Sequence, residues 1–177
     1  VGLASPAPWE RTRSADQVTR VLAEAALAEL PRNAVLLIEA DHAVAPLMYL
    51  QEIEAQRPDV VVLPLGLASS SWLWDLIYRR HPDLVPFAVR GPGGRDARVR
   101  RFLDAQPTRT PFTNERGVAL RVGAPGCVNG VLLTLTPCTE PARPDGLLPL
   151  LRHAHAQLRD GSPATAGLLA WEAEARA

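Results

Sequence analysis

Two short apolar runs, separated by a segment of helix length, constrain the fold of this chain most strongly. Residues 30–65 read LPRNAVLLIEADHAVAPLMYLQEIEAQRPDVVVLPL. Residues 34–40 and 60–65 are nearly continuous in apolar character rather than alternating, which is typical of strands covered on both faces. Parallel strands need a crossover of about a dozen residues or more, and the intervening segment supplies one. The sequence therefore predicts a right-handed β-α-β unit.

The segment between the two runs has the pattern of a helix. Pro46 fits its first turn, where a missing N–H costs nothing, and Pro58 ends it. Gln51 is expected to face water. The predicted buried stripe consists of Leu47, Leu50 and Ile53.

Weaker patterns predict the remaining elements. Helices are expected over residues 14–30, 72–80 and 95–105, and strands over 84–89 and 110–114. Residues 118–122 and 131–136 are predicted to form a β pair, because Asn129-Gly130 is a hairpin turn signal. The predicted fold class is α/β: a Rossmann-like, mostly parallel sheet with flanking helices, an antiparallel β pair late in the chain and a C-terminal helical hairpin.

One domain is expected for 177 residues. Residues 1–13 are predicted to be a linker or N-terminal arm and residues 14–140 the α/β domain. Residues 141–177 are predicted to form a helical hairpin packed on that domain. The first residue is Val1 rather than Met, and we therefore expect an excised piece of a longer protein or a processed product.

Charge is balanced over the whole chain but not along it. All 19 basic residues are Arg, and the formal net charge is zero. Residues 79–109 carry eight Arg against three acidic residues, a net charge of plus five. This basic segment is a candidate contact for phosphate or anionic lipid, including lipid phosphates. We expect no nucleic-acid partner.

The two cysteines, Cys127 and Cys138, are separated by eleven positions. An extended strand between them would hold them about 30 Å apart, so we expect two free thiols. No apolar run reaches the roughly 18 residues of a membrane span, and no signal peptide is visible.

Asp41 and His42 form the best-placed polar pair in the sequence, because they follow the first predicted strand. Ligands of α/β sheets bind beyond the carboxyl ends of the strands. We therefore treat both residues as candidate binding residues. A structural role is the alternative, since a carboxylate at a helix start is stabilised by the helix dipole.

A second candidate is the loop Arg90-Gly-Pro-Gly-Gly-Arg95, which precedes a predicted helix. Backbone N–H groups of Gly93 and Gly94, with the guanidinium groups of Arg90 and Arg95, have the chemistry to hold a phosphate. A plain surface turn is the alternative, because the loop matches neither the dinucleotide fingerprint nor the P-loop. No nucleophile motif or paired-Cys zinc spacing appears, and we predict no metal or cofactor.

An ordered series of short motifs runs through residues 14–78. Its members are Leu30-Pro31, Asn33-Ala34, Asp41, Pro46-Leu47, Tyr49-Leu50-Gln51-Glu52, Arg57-Pro58-Asp59-Val60 and Trp72. This series resembles the extracytoplasmic part of the protein O-mannosyltransferase-like family of polytopic membrane proteins, within the superfamily of polyprenyl-phosphate-sugar glycosyltransferases. The chain departs from that family where His42 replaces the usual Asn and Ala43 replaces a second acid.

The resemblance implies a soluble domain on the periplasmic or extracellular side of a bacterial inner membrane. Its partner would be the membrane-embedded portion of the same polypeptide, together with an acceptor protein or a lipid-linked sugar phosphate. The domain would act in acceptor recognition or cleft assembly and would not be catalytic. The alternatives are a free-standing small α/β enzyme or binding protein for a phosphorylated small molecule, and a bare interaction module.

Overall fold

The computed structural model describes residues 18–122, 127–129 and 132–136. The elements in chain order are α1 (Val18–Glu29), β1 (Val35–Ile38), α2 (Asp41–Glu52), β2 (Val61–Pro64), α3 (Ser71–Arg80), α4 (Arg95–Ala105), β3 (Pro111–Thr113), α5 (Arg116–Val122), β4 (Cys127–Asn129) and β5 (Leu132–Thr134). A short 3-10 turn, Leu65–Leu67, follows β2.

The strands form one mixed sheet in the order β2-β1-β3-β5-β4. β1 pairs in parallel with β2 and β3, so that Val35 aligns with both Val61 and Pro111. β5 pairs antiparallel with β3 and with β4. The α/β class, the parallel unit of residues 30–65 and the late antiparallel pair are therefore confirmed. The Rossmann-like comparison stays a prediction, and the predicted arm (1–13) and helical hairpin (141–177) lie outside the described residues.

Both faces of β1 are buried, which explains its uninterrupted apolar sequence. Leu36 and Ile38 point into a core formed with α1 and α2, whereas Val35 and Leu37 point into a core formed with α3, α4 and α5. All four side chains are 0–1% exposed. Burying a side chain of this size contributes about 1.5–3 kcal/mol, so this single strand connects two layers that each stabilise it.

The crossover helix α2 is longer at its start and shorter at its end than the sequence predicts. It begins at Asp41, so Pro46 lies inside the helix rather than in its first turn. It ends at Glu52, and Ile53 is 68% exposed instead of buried. The chain turns away at Ala55, which has a left-handed φ of 53°. Leu47 and Leu50 are buried as predicted.

Gln51 is also placed differently from the prediction. Its side-chain amide donates hydrogen bonds to the carbonyl oxygens of Arg57 at 3.0 Å and Val60 at 2.9 Å. Gln51 therefore ties the end of α2 to the residues that lead into β2, instead of facing water.

The strand predicted over residues 84–89 does not form. The side chain of Gln106 hydrogen-bonds both backbone groups of Val85: its amide oxygen accepts from the N–H at 3.0 Å, and its amide nitrogen donates to the carbonyl at 2.6 Å. These backbone groups are therefore not paired with a strand. Pro86, which follows, has no N–H to offer a neighbouring strand. This segment packs beside the sheet without pairing to it.

Residues 118–122 belong to helix α5, not to a strand. The buried side chains are Val118, Ala119 and Val122, a helical spacing, while Leu120 is 74% exposed. The first strand of the late antiparallel pair is β4, and Asn129 pairs with Leu132 across the position of the predicted turn.

Cys127 is disulfide-bonded, so the prediction of free thiols is wrong. That prediction assumed one extended segment between the cysteines. β4 and β5 instead fold back on each other, which aligns Cys127 with Thr134. The only other cysteine of the sequence, Cys138, lies four positions after Thr134 and outside the described residues.

Two arginines join the segments at the edge of the sheet where the parallel strands begin, which we term the amino edge. Arg109 has a side chain 5% exposed, and it donates to the carbonyls of Asn33 at 3.0 Å and Asp59 at 3.2 Å. It also pairs with the carboxylate of Asp83 at 2.5 Å. Since Asn33, Asp59 and Arg109 lie just before β1, β2 and β3, one guanidinium holds the starts of all three parallel strands.

Arg57 acts beside it on the end of α1. Its guanidinium donates to the carbonyls of Leu27, Leu30 and Pro31 at 2.5–2.9 Å and pairs with Asp59 at 2.9 Å. The hydrogen bond to Arg57 holds the pKa of the Asp59 carboxyl well below its usual range. The carbonyls at a helix end lack partners within the helix, and Arg57 supplies them here.

Replacing Arg109 with Met should lower the free energy of unfolding by about 2–4 kcal/mol, because two enclosed carbonyls and a carboxylate lose a charged donor. Arg109→Lys should recover part of this loss, since an ammonium group cannot reach all three acceptors in the planar geometry of a guanidinium. Urea unfolding followed by tryptophan fluorescence measures both. Arg79→Met, at an exposed position, is the matched control and should change stability by less than about 0.5 kcal/mol. An equally small effect of Arg109→Met would contradict the structural role assigned to this side chain.

Candidate functional site

The carboxyl ends of β1 and β3 lie side by side in the sheet. After β1 the chain enters α2 on one face, and after β3 it enters α5 on the other face. Two neighbouring strands whose connections leave toward opposite faces form a topological switch point, where open α/β sheets bind ligands. We term this region the carboxyl edge, and it is the candidate site of this fold.

Asp41 and His42 lie at the carboxyl edge, as the sequence predicts. They are the first two residues of α2, and both are exposed. Neither side chain is hydrogen-bonded to another residue of the described chain. The Asp41 carboxylate faces the start of a helix, where the dipole stabilises it by about 0.3–1 kcal/mol. The placement fits either a binding or a structural role.

A carboxylate that the sequence analysis did not single out bridges the two strand ends. Glu115, two residues after β3, accepts hydrogen bonds from the backbone N–H groups of Glu39 at 3.2 Å and Ala40 at 3.0 Å. Its own N–H donates to the hydroxyl of Thr113 at 3.2 Å. The pair of N–H groups at the end of β1 is thus already bonded to an anion supplied by the chain itself.

The structure brings the second candidate, the glycine-rich loop, to the same edge. Arg95 begins α4 and pairs with Glu39 at 2.9 Å, and Glu39 lies two residues before Asp41. Arg95 also bonds Asp96 at 3.0 Å, and that hydrogen bond is the main cause of its raised pKa. Arg121 from α5 pairs with the same two carboxylates. Arg95 is therefore neutralised by acidic neighbours.

The loop itself is shaped by internal contacts. Gly93 has a left-handed φ of 89°, and a Cβ there would come within 2.6 Å of the Cβ of Ala97. Gly94 precedes the first residue of α4 in an extended conformation, and Arg90 is exposed. The guanidinium of Arg101 donates to the carbonyl of Pro92 at 2.8 Å. The binding roles of Asp41, His42, Arg90, Gly93, Gly94 and Arg95 remain predictions.

The basic segment 79–109 is largely engaged within the fold. Six of its eight arginines bond carbonyls or carboxylates of the chain: Arg80, Arg95, Arg98, Arg100, Arg101 and Arg109. Arg79 and Arg90 have no acceptor among the described residues. The predicted contact with lipid phosphates would therefore depend on two side chains rather than eight.

The two tryptophans of α3 are two positions apart, a spacing that directs side chains to different sides of a helix, and their environments differ. Trp74 is 1% exposed, donates from its indole N–H to the carbonyl of Ala68 at 2.9 Å and contacts Phe87 and Phe102 edge-on or tilted. Trp72, in the first turn of α3 after β2, is 52% exposed. Trp72 is thus an aromatic surface residue near the carboxyl edge.

Sequence reasoning missed the charged groups that occupy this edge: Glu39, Asp96, Glu115 and Arg121. The signal for two of them was present, because Glu39 directly follows β1 and Glu115 follows β3 by two residues. The partner arginines come from helices distant in sequence. Within the described ranges, no three His, Cys, Asp or Glu side chains are grouped so as to hold a metal ion.

The described residues form an α/β domain, and ion pairs between residues of this chain lie at the switch point between β1 and β3. The chain matches no protein-family model, no curated protein and no solved structure. Across the described part of the chain, no helix has the length and hydropathy of a membrane span.

Replacing Glu115 with Ala should lower the free energy of unfolding by about 1–3 kcal/mol, because two backbone N–H groups at the strand end lose their acceptor. Glu115→Gln keeps an acceptor oxygen and should cost less. The exposed Asp104 provides the control, since Asp104→Ala removes the same charge without a described partner. Urea unfolding measures all three; equal effects of the Glu115 and Asp104 substitutions would show that the bridge does not stabilise the fold.

Proposed function

We propose that this chain is an extracytoplasmic accessory domain of a membrane glycosyltransferase-like protein of bacterial origin. It acts in acceptor recognition or in assembly of the catalytic cleft, and it does not itself break bonds. Its first partner is the membrane-embedded portion of the same polypeptide, and the acceptor protein or lipid-linked sugar phosphate meets it there. The ordered motif series of residues 14–78 is the sequence basis for this proposal.

The observation that carries the non-catalytic role is the mutual neutralisation of charges at the carboxyl edge. Acid–base or nucleophilic catalysis needs a side chain that is held close to a reacting group and free to exchange a proton with it. Here Glu39 is shared by two arginines, and Glu115 is bonded to backbone N–H groups. Asp41 and His42 have no described side-chain partner at this edge, but both are exposed and neither is held against another group. The edge therefore favours a docking surface over a reaction centre.

The disulfide of Cys127 supports the extracytoplasmic location. Disulfides persist in oxidising compartments such as the bacterial periplasm and cell surface, and they are rare in the cytosol. A cytosolic enzyme of this size would normally keep both thiols reduced.

Three of the residues that carry the resemblance have structural roles away from the candidate site. Arg57, Asp59 and Gln51 all bond backbone groups at the amino edge, opposite the switch point. Their spacing is therefore explained by the requirement to join α1, α2 and β2. The family's acceptor-related role comes to this chain by resemblance alone.

The alternative of a small α/β protein that binds a phosphorylated molecule is less favoured by the geometry. It needs Arg95 to meet a phosphate, and Arg95 already pairs with Glu39 and Asp96. A phosphate would have to displace two carboxylates and would then lie beside both of them.

The activity test uses the purified 177-residue chain and the longer protein that contains it. We expect the chain alone to transfer no sugar from a polyprenyl-phosphate donor to protein acceptors, and the longer protein lacking this chain to lose acceptor use. Transfer by the chain alone would contradict the accessory role. Saturable binding of inorganic phosphate, abolished by Arg95→Ala, would favour the alternative instead.

The location is tested through Cys127. We expect thiol-trapping reagents added to intact cells and lysates to leave Cys127 unmodified until a reductant is present. Reduction of the purified chain should lower its thermal midpoint, because a cross-link closing a loop of about ten residues contributes about 3 kcal/mol. The Cys127→Ser variant should match the reduced chain and be insensitive to reductant. Immediate modification of Cys127 in cells would argue against an oxidising compartment.

A further inference from the structure

Residues 85–90 form a segment without regular secondary structure that is fixed against helix α3. The hydroxyl of Tyr78 in α3 donates to the carbonyl of Val85 at 3.1 Å and accepts from the N–H of Phe87 at 3.2 Å. The ring of Phe87 packs edge-on against Trp74 of the same helix, with ring centroids 4.9 Å apart. The segment therefore belongs to the helical layer on this side of the sheet.

Burial alternates along this segment. Phe87 and Val89 are partly buried against the core that contains α3 and α4. Pro86, Ala88 and Arg90 are exposed. Successive side chains of an extended chain point to opposite sides, so the segment directs every second side chain outward.

Helix α3 presents a stripe of exposed residues on its side away from the core. Its buried residues are Leu73, Trp74 and Ile77. Trp72, Asp75 and Arg79 are exposed and recur at intervals of three and four positions, which places them along one side of the helix. We term this stripe, together with the outward side chains of residues 85–90, the outer face.

The outer face carries an excess of positive charge. Arg79 and Arg90 have no acceptor among the described residues, and Asp75 supplies the opposing carboxylate. Arg101 lies beside the segment and donates to the carbonyl of Ala88 at 3.4 Å. A hydrogen bond to a carbonyl leaves a guanidinium charged, so three cations here outnumber one carboxylate.

The backbone of residues 85–87 is closed to a peptide partner. Gln106 bonds both backbone groups of Val85, and Tyr78 bonds the N–H of Phe87. A peptide that binds by strand addition needs such groups free. A partner of the outer face therefore meets side chains alone: an aromatic ring, short apolar groups and guanidinium groups.

We propose that the outer face docks on a membrane surface that carries anionic lipid headgroups. The proposal rests on the proposed function, since it names the side of the domain that meets the membrane. Trp and Arg combine an apolar body with a polar end, which suits the boundary between headgroups and water. Trp72 and Pro86 enter the headgroup layer, while Arg79 and Arg90 bond lipid phosphates.

The association is weak and reversible. Each Arg near an anionic surface strengthens partitioning by about fivefold, and Trp72 adds the apolar area that it buries. Contacts of this strength orient a domain that its own polypeptide already holds near the bilayer.

Flotation of the 177-residue chain with vesicles at high lipid concentration tests the proposal. Vesicles of phosphatidylcholine and phosphatidylglycerol in equal parts should bind the chain, and pure phosphatidylcholine vesicles should not. Added sodium chloride should weaken the binding, because salt screens the charges. Inorganic phosphate at the same ionic strength should compete no better than the chloride; stronger competition would overturn the lipid as partner.

Substitutions on the outer face should change the partition coefficient in both directions. Arg79→Gln and Arg90→Gln should each lower it about fivefold, and Trp72→Ala about tenfold. Asp75→Asn should raise it, because a carboxylate that repels the headgroups is removed. Tyr49→Ala is the matched control for Trp72→Ala, since Tyr49 is 50% exposed on α2 in the opposite layer, and it should leave binding unchanged.

A second control separates this face from general charge attraction. Arg32→Gln removes an exposed arginine from the turn between α1 and β1, and a loss equal to that of Arg79→Gln would overturn the proposal. So would unchanged binding in Trp72→Ala. Reduced acceptor use by the longer protein carrying Trp72→Ala, with vesicle binding unchanged, would assign the face to a protein partner.

This experiment and the test of the proposed function fail separately. Vesicle binding is measured without sugar transfer, and the chain can lack lipid affinity while the longer protein still needs it for acceptor use. Absence of binding to the anionic vesicles therefore overturns the docking face alone.

Discussion

The hydrogen bonds of Arg109 set the register from which the rest of the sheet follows. A parallel sheet gains nothing from tight turns, so the starts of its strands must be aligned by contacts between segments distant in sequence. Arg109 supplies that alignment for β1, β2 and β3 at once, with acceptors 50 and 76 residues away along the chain. Arg57 fixes α1 to the same place. The alternating burial of β1 into two cores follows from the pleat of the strand, and this edge holds the strand in place.

This use of arginine explains why charge counting gave a misleading picture of residues 79–109. A guanidinium has five N–H donors, and in this chain many of them go to backbone carbonyls rather than to outside anions. Arg98 and Arg101 each bond two carbonyls of neighbouring loops. A chain without lysine must use arginine for every cationic position, so a local excess of Arg indicates internal hydrogen bonding as readily as it indicates a basic surface.

The sequence was sufficient for the parts of the fold that one pattern decides. The short, continuous apolar run of β1 favours a strand covered on both faces, and the segment that contains α2 is long enough for a crossover to a parallel neighbour. It was insufficient where a tertiary contact decides. The Gln106 side chain bonds the backbone of Val85, where a neighbouring strand would otherwise pair. The pattern of residues 118–122 fits a strand or a helix, and only their packing in the core shows that they form a helix. At the carboxyl edge, Asp41 and His42 were placed correctly by strand direction, but their charged surroundings come from helices α4 and α5, which no local pattern connects to β1.

β2, an edge strand of the sheet, has consequences for how the molecule behaves in a crowded solution. It is four residues long and ends in Pro64, which lacks an N–H. An incoming strand from another molecule would find few donors and acceptors along this side, so edge-to-edge association is discouraged there. Aggregation through strand addition is thus limited by the primary structure of β2 itself.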